Sequence, residues 1–325
     1  MPTSNPQPRA AVVYNPTKVD EAEIRRAIAD EPGSAGWAPT LWIATTEDDP
    51  GSGQTKRALA EGASVVLAAG GDGTVRAVVE ALADTDVPLA ILPAGTGNLL
   101  ARNLDLTIDD LAESVRIAFT GADRRIDVVR IDIRREDNAI THHAFVVMAG
   151  LGLDAKMLAK TDEELKARVG WLAYAQAIIR ALRDSHQLRL RYSLDGDKQQ
   201  AVRAHTLIVG NCGTLTGNIV LLPDAEVDDG LFDLVMMRPQ DLLGWLQIVG
   251  KVFWENGVLR RTEVGRLFTT KDVHALRYLR GKELRVRFSK PEEIELDGDG
   301  LGYATAIKTW IAPGALAVRL PNQTS

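Results

Sequence analysis

Short apolar runs alternate with helix-forming stretches through the first third of the 325-residue chain, and this alternation constrains the fold most strongly. Repeated strand–helix units predict a parallel sheet that helices cover on both faces. Ligands of such sheets bind beyond the carboxyl ends of the strands. The predicted strands are 10–14, 39–44, 64–69 and 88–92, and the predicted helices are 21–29, 55–62, 75–83 and 98–104.

From about residue 124 the sequence changes to a β-rich pattern. Runs such as RIDVVRIDI alternate apolar and polar residues, which favours an antiparallel sheet with one solvated face. Two helical stretches, 163–184 and 241–256, interrupt these strands. The predicted strands of this part are 126–134, 141–149, 187–194, 201–209, 231–237, 283–288 and 293–297.

The two patterns predict an α/β region followed by a β region, and hence two domains. The polar turn at 134–138 is the expected boundary between them. The predicted domains cover 9–137 and 138–302, and the C-terminal segment 303–325 could return to the first domain.

Composition and charge exclude several classes of protein. The net charge of −6 gives no support to nucleic-acid binding. A single cysteine, Cys212, cannot form an internal disulfide, which fits a reducing cytoplasm. No apolar run reaches the length of a membrane-spanning helix, and MPTSNPQPRA at the N-terminus lacks the apolar stretch of a secretory signal. We therefore expect a cytoplasmic protein.

One basic segment departs from this acidic average. Residues 251–290 hold 11 Lys or Arg and four Asp or Glu, so the segment carries +7 and the remainder −13. It is either a solvated face or a patch for anionic lipid headgroups or phosphate. In the second case, this segment and the helix 241–256 would give peripheral contact with the inner membrane surface. An exposed edge strand could also pair two subunits as a homodimer.

The stretch AAGGDGTVRAVVEAL at 68–82 runs from an apolar strand through glycines into a helix. Glycines let a backbone approach a ligand closely, and a helix N-terminus offers unpaired N–H groups to an anion. No Gly-Lys-Ser/Thr sequence follows, and Arg76 breaks the dinucleotide fingerprint. Asp72 would repel phosphate unless a metal ion or a basic side chain intervenes. By itself this turn is either a phosphate site or a plain strand–helix connection.

A second glycine turn, LPAGTGNLLAR at 92–102, follows the next predicted strand. It too carries glycines, a hydroxyl and an asparagine into a helix. Two adjacent loops of this kind can hold one polyphosphate from both sides.

These two turns, with Asn15-Pro16 after the first strand, resemble the diacylglycerol kinase catalytic domain, whose relatives include bacterial soluble lipid kinases and the sphingosine and ceramide kinases. The resemblance covers nearly the whole chain, through GLGLDA, GWLAY, PDAEVDDGLF and ELDGD in its second half. It implies an ATP-binding α/β domain and a lipid-binding domain that resembles a β-sandwich. ATP and Mg²⁺ would lie in the cleft between the two domains.

The resemblance also implies roles for individual residues. Nucleotide binding is implied for Asn15, Pro16, Thr17, Lys18, Thr45 or Thr46, Gly70, Gly71, Asp72, Gly73, Thr74, Gly95, Thr96 and Asn98. Catalytic roles are implied for Asp72, Asp127, Lys166 and an acid at Asp297 or Asp299. A structural Mg²⁺ site is implied for Asp229 with the carbonyl groups of Glu226 and Leu231.

Two departures from the family pattern affect these roles. Many members carry Ser-Gly after Asn-Pro, whereas this chain has Thr17-Lys18, and Lys18 could supply a positive charge directly. Many members also have Glu where this chain has Asp299, at the position assigned as the catalytic base. Either Asp299 serves with altered reach, or Asp297 takes the role.

Asp-Gly pairs are also ordinary turn signals, and the chain has five of them, beginning at Asp72, Asp195, Asp229, Asp297 and Asp299. We expect Asp195-Gly196 to be a plain hairpin turn. Asp229-Gly230 is either a turn or a metal site. For Asp297 and Asp299 a functional role is favoured, because a hairpin needs only one acid.

The expected function is ATP-dependent phosphorylation of the primary hydroxyl of a diacylglycerol-like or sphingoid lipid. NAD kinases and other small-molecule kinases also use Gly-Gly-Asp-Gly and are the nearest alternative. A catalytically weak regulator that binds lipid and nucleotide is the other.

Overall fold

The computed structural model describes residues 7–152, 187–215, 219–239 and 276–322. These residues divide into two compact units. The first unit contains residues 7–128, 144–146 and 312–322, and the second contains the other described residues. The predicted helices 163–184 and 241–256, and with them Lys166, lie outside the described residues. No helix in the described ranges is long and apolar enough to span a membrane.

The described elements follow the chain in this order. The helices are α1 (Glu21–Asp30), α2 (Ser52–Ala60), α3 (Asp72–Leu82), α4 (Leu99–Asn103) and α5 (Leu111–Thr120), with a short 3₁₀ turn at Pro32–Ser34. The strands are β1 (Arg9–Tyr14), β2 (Ala38–Ala44), β3 (Val65–Gly70), β4 (Leu89–Pro93), β5 (Ala122–Arg134), β6 (Ile140–Phe145), β7 (Met148–Leu151), β8 (Leu188–Leu194), β9 (Gln200–Ala204), β10 (Thr206–Gly210), β11 (Thr214–Leu215), β12 (Ile219–Val220), β13 (Phe232–Met237), β14 (Leu276–Gly281), β15 (Glu283–Leu296) and β16 (Asp299–Leu320).

The first unit is built on a parallel sheet of order β2-β1-β3-β4-β16. All six residues of β3 are buried, as expected for a parallel strand that is covered on both faces. Val12, Leu67 and Leu92 of the strands pack with Ile24 of α1 and Val115 of α5 in one core. The chain leaves β1 toward β2 on one side and continues through β3 and β4 on the other. The topological switch point, where ligands of open α/β sheets bind, therefore lies between β1 and β3.

The second unit is an antiparallel β structure of order β14-β13-β10-β7-β15, in which β15 also pairs with β16 and β8. Buried and exposed residues alternate along the first five residues of β8, which is the signature of a sheet with one solvated face. The predicted fold class, a parallel-sheet domain followed by an antiparallel β-sandwich-like domain, is confirmed.

The predicted strand boundaries differ from the structure where the backbone bends. The predicted strand 141–149 is two strands, β6 and β7, and 201–209 is likewise β9 and β10. The predicted strands 283–288 and 293–297 form the single strand β15, which contains bulges. Apolar alternation continues across a bend or a bulge, so it does not mark either of them. The prediction also omitted α5, β14 and β16.

Candidate functional site

Three turns meet at the switch point of the parallel sheet. Asn15 follows β1, Gly71 follows β3, and Ala94 follows β4. The Asn15 N–H donates to the Ala69 carbonyl at 2.9 Å, and the Ala94 N–H donates to the Gly70 carbonyl at 3.2 Å. Strand hydrogen bonding thus continues into the turns and places the three sequence-predicted loops side by side.

The two glycine loops pack backbone against backbone. A β-carbon built on Gly95 would lie 2.7 Å from the Gly71 Cα and 3.1 Å from the Asn98 Oδ1. The first distance is shorter than real contacts allow, and the obstacle is main chain that cannot rotate away. On Gly71 the same β-carbon would lie 3.7 Å from the Gly95 Cα, which is an ordinary contact. Glycine is therefore required at position 95 to bring the loops together.

The side chain of Asp72 joins the same two loops. Asp72 is the first residue of α3, and its Oδ1 accepts a hydrogen bond from the Leu99 N–H, at the start of α4, at 2.6 Å. A carboxylate at a helix N-terminus is favoured by the helix dipole, and a charge-assisted hydrogen bond is stronger than a neutral one. The Asp72 carboxylate thus links the two glycine loops, and this contact needs no metal ion.

Asn98 shapes the second loop. Its backbone is left-handed, with φ of 48°, and its buried side chain bonds both main-chain groups of Gly95. The Oδ1 accepts from the Gly95 N–H at 2.9 Å, and the Nδ2 donates to the Gly95 carbonyl at 2.7 Å. Asparagine tolerates this conformation and supplies both a donor and an acceptor. Thr96, between these residues, is exposed.

The loop after β1 is closed by Asn15 and presents a cation. The Asn15 Oδ1 accepts from the Thr17 N–H at 2.9 Å and from the Thr17 hydroxyl at 2.8 Å. Pro16, Thr17 and Lys18 are exposed. Lys18 is thus an exposed cation in the loop that follows β1, the strand paired with β3.

The remaining predicted nucleotide residues lie in and beside these loops. Thr74 is buried, and its side chain occupies the space that a β-carbon on Gly70 would need. After β2, Thr45 is buried and Thr46 is exposed. Gly73 lies in the first turn of α3.

Asp297 and Asp299 belong to one hairpin of the second unit but have different environments. Asp297 and Gly298 form its two-residue turn, with φ of 48° and 90°, as in the Asp-Gly turns that suit antiparallel strands. The Asp297 side chain is buried, and its Oδ1 accepts from the N–H groups of Val147 and Met148 at 3.0 and 2.8 Å. Asp299, the first residue of β16, is partly exposed. The Asp297 side chain thus has a structural role, whereas the Asp299 side chain is accessible to solvent.

Asp127 on β5 is 1% exposed, and its Oδ1 accepts from the Gly314 N–H at 2.7 Å. Both residues belong to the first unit. This bond ties the C-terminal strand to β5, which gives Asp127 a structural contact that the sequence did not reveal.

The turn before β13 carries the acids of the predicted structural metal site. The Asp229 carboxylate accepts from the Leu231 N–H at 2.9 Å and is ion-paired with Arg280. Arg280 also lies 3.4 Å from Asp233. Burial raises the pKa of the Asp233 carboxyl, an effect that Arg280 opposes. Within the described ranges, no group of three or more His, Cys, Asp or Glu side chains is placed to hold a metal ion.

An ion pair between Arg76 and Glu80 on α3 was not predicted from the sequence. Arg76 is 7% exposed and lies 3.0 Å from Glu80, whose Oε1 also accepts from the Ala144 N–H. The charge of this buried arginine, one turn beyond the first glycine loop, is therefore balanced within the helix. The two opposite charges lie four residues apart on a helix, and this spacing could have indicated the ion pair.

Comparison with protein families covers both units. Residues 9–131 match the diacylglycerol kinase catalytic domain, and residues 146–320 match the YegS C-terminal NAD kinase beta sandwich-like domain. A Pseudomonas aeruginosa (strain UCBPP-PA14) protein named "Probable lipid kinase YegS-like" is 31% identical over 316 residues, which are 96% of this chain and 94% of that protein. A diacylglycerol kinase of Bacillus subtilis (strain 168) is 25% identical over 295 residues, with 90% and 89% coverage.

Solved structures share the fold. A diacylglycerol kinase from Bacillus anthracis superposes with a TM-score of 0.70 at 21% identity, over 99% of both chains. An NAD kinase from Archaeoglobus fulgidus in complex with ATP gives a TM-score of 0.50 at 12% identity, over 97% of this chain and 94% of that one. Together, the two matched domains and the relatives that align along nearly its whole length show that this chain belongs to the lipid kinase family built on the diacylglycerol kinase catalytic domain.

Proposed function

We propose that this protein transfers the γ-phosphoryl group of ATP to the primary hydroxyl of a diacylglycerol-like or sphingoid lipid, in the cytoplasm or at the inner membrane surface. The observation that carries the proposal is the paired glycine loops at the switch point, held together by Asp72 and by the Gly71–Gly95 contact. Such a cradle suits a polyphosphate, because its backbone comes close and a helix N-terminus faces the ligand. The NAD kinase of similar fold was solved with ATP, which supports a nucleotide as the phosphoryl donor.

In this proposal the chain positions the reactants and accepts one proton. The loop residues, including Thr74, Thr96 and Asn98, hold the phosphates, and Lys18 neutralises part of their charge. The lipid hydroxyl oxygen bonds to the γ-phosphorus, the bond to the β–γ bridging oxygen breaks, and ADP leaves. The hydroxyl proton passes to the carboxylate of Asp299. Asp127 and Lys166 complete the proposed catalytic set by resemblance to the family.

The residues beside the loops fit a Mg²⁺ ion that arrives with the nucleotide. Mg²⁺ in phosphoryl-transfer sites is commonly held by one or two carboxylates together with substrate phosphates, so a cluster of several acids is not needed. Asp72 supplies one carboxylate, at the point where the two glycine loops meet. Bound Mg²⁺ would neutralise charge on the transferred phosphoryl group.

The second proposed Mg²⁺ site, at Asp229 with the Glu226 and Leu231 carbonyls, fits less well as the side chains stand. Arg280 already neutralises the Asp229 carboxylate, so a cation there has to displace that guanidinium group. A rise in the thermal midpoint on addition of Mg²⁺ that is absent in Asp229→Ala would support this site.

The experiment that tests the proposal is ATP consumption by the purified protein over a panel of acceptors. The panel contains diacylglycerol, sphingosine, ceramide and NAD, and mass spectrometry identifies the product. Phosphorylated lipid is the expected outcome. Phosphorylated NAD would favour the alternative that the NAD kinase-like fold suggests. Binding of nucleotide and lipid without turnover across the panel would instead identify a regulator.

Gly95→Ala is expected to raise the KM for ATP about tenfold. The added methyl group meets the Gly71 backbone, and relieving an overpacked contact typically costs about 1–3 kcal/mol. Gly150→Ala is the matched control, because no atom of the described residues lies within 4 Å of its added β-carbon. Steady-state kinetics and thermal melts of both variants check the prediction, and an unchanged KM in Gly95→Ala would contradict the two-loop site.

A further inference from the structure

An arginine-lined groove on the second unit has no part in the proposed reaction. Its volume is about 630 Å³, and it lies on the sheet formed by β9, β8 and β15. Five arginines line it, Arg189, Arg191, Arg203, Arg238 and Arg287. All five are exposed, whereas Leu188, Leu190 and Tyr192, which alternate with two of them along β8, are buried.

The strand register places four of these arginines opposite one another. Arg189 pairs with Arg203, and Arg191 pairs with Arg287. Like charges directly opposite on neighbouring strands destabilise a sheet. In the described part of the chain none of the five forms an ion pair, whereas Arg285, two residues from Arg287 on β15, is paired with Glu283 at 2.7 Å. The fold therefore maintains a repulsive cluster that a bound anion would relieve.

The chemistry of the cluster points to several phosphate groups. The guanidinium group is planar and binds phosphate through two parallel hydrogen bonds. Paired residues on adjacent strands lie about 5 Å apart, and alternate residues of one strand lie about 7 Å apart, so the cluster extends beyond a single phosphate. Five positive charges also exceed the charge of about −2 on one phosphate monoester. A surface that presents many phosphates in a plane matches both the extent and the charge.

We propose that this groove docks the protein onto the phosphate plane of an anionic phospholipid membrane. The chain carries −6 in total, and hence −11 without the five arginines, so attraction to such a membrane must come from a local face. The docking surface includes one residue of the basic 251–290 segment, Arg287, and four residues that lie outside that segment. The docking proposal can be tested independently of the proposed reaction, because docking can be measured without ATP or turnover.

Vesicle sedimentation tests the proposal. Vesicles of phosphatidylcholine alone are compared with vesicles in which about one third of the lipid is phosphatidylglycerol, at low and high salt concentration. Each basic residue near an anionic surface contributes about a fivefold change in partition coefficient. The double variant Arg191→Gln/Arg287→Gln is therefore expected to bind anionic vesicles about 25-fold more weakly than wild type, and high salt should weaken wild-type binding.

The matched control is Arg26→Gln/Arg57→Gln, which removes the same charge from exposed positions on α1 and α2. Its binding is expected to change by at most about twofold, because neither arginine lines the groove. Arg191→Lys/Arg287→Lys keeps the charge and should keep most of the binding. Turnover of a lipid in neutral detergent micelles should be unchanged in the glutamine pair, so failure of docking and failure of the proposed reaction are distinguishable.

The stability of the variants separates a binding role from a structural one. Removing two like charges should leave the thermal midpoint of the glutamine pair at or above the wild-type value. If that pair fails to fold, Arg203→Gln decides the question with an expected loss of about fivefold. Equal losses in the groove and control variants, or equal wild-type binding to neutral and anionic vesicles, would overturn the proposal. Pyrophosphate binding that the glutamine pair loses, without vesicle binding, would assign the groove to a soluble polyphosphate and also overturn it.

Discussion

Asp299→Asn is expected to lower kcat for lipid phosphorylation by about 10²–10⁴-fold, the usual contribution of general-base catalysis. Asparagine preserves the size of the side chain but cannot accept the hydroxyl proton. The KM for ATP should stay near its wild-type value, because in the proposed reaction Asp299 accepts the proton of the lipid hydroxyl and does not hold the phosphates. Initial rates at saturating ATP, with a lipid in detergent micelles, measure the effect.

Two further variants show whether the loss belongs to the base or to the hairpin. Asp299→Glu installs the residue that many members of the family carry, and it should retain more activity than asparagine. Asp297→Ala should instead lower the free energy of unfolding by about 3 kcal/mol or more, because two buried N–H groups lose a charged acceptor. If Asp299→Asn kept wild-type kcat while the folded fraction of Asp297→Ala lost turnover, the base would be Asp297.

Asp72→Ala is expected to lower kcat/KM for ATP by about 100-fold. It removes the carboxylate from the phosphate loops, and it also removes the bond to the Leu99 N–H, a charge-assisted hydrogen bond of about 1.5–3 kcal/mol. Asp72→Asn keeps an oxygen that can accept from Leu99 but loses the charge, so its defect should be smaller. Kinetics over a range of ATP and Mg²⁺ concentrations separate the two contributions.

Asp109→Ala is the control for Asp72, since it removes one negative charge from an exposed position of the same unit. Its kinetics should match wild type. Wild-type kcat/KM in Asp72→Ala would show that neither the bond between the loops nor the carboxylate matters for turnover. Equal defects in the alanine and asparagine variants would assign the whole effect to the charge.

The periodic parts of the fold were predictable. The runs that became β1, β3 and β4 are short and apolar, and each precedes a helix, so local pattern and tertiary role agree. Asp195-Gly196 was expected to be a hairpin turn, and it lies between the paired strands β8 and β9 with positive φ at both residues. β16 was not predicted, since a 22-residue strand with mixed burial has no simple period.

The candidate site, like the fold, was predictable only in part. The glycine turns and their residue types were visible in the sequence, because each lies within a few residues of a strand end. The bond from Asp72 to Leu99 spans 27 positions, and the bonds from Asp297 to Val147 and Met148 span about 150, so no local pattern could show them. Four of the five groove arginines come together through the pairing of β8, β9 and β15, and nothing in any one of these strands indicates it.

The sequence by itself determined the fold class, the family and the order of the loops, because these depend on residue type and on spacing along the chain. Only the tertiary structure decided what the acids do. Asp72 proved to join two loops and Asp297 to hold a hairpin, whereas Asp299 stays partly exposed. The physical reason is that the role of a carboxylate depends on burial and on which donors reach it, and both are properties of chain segments that are distant in sequence.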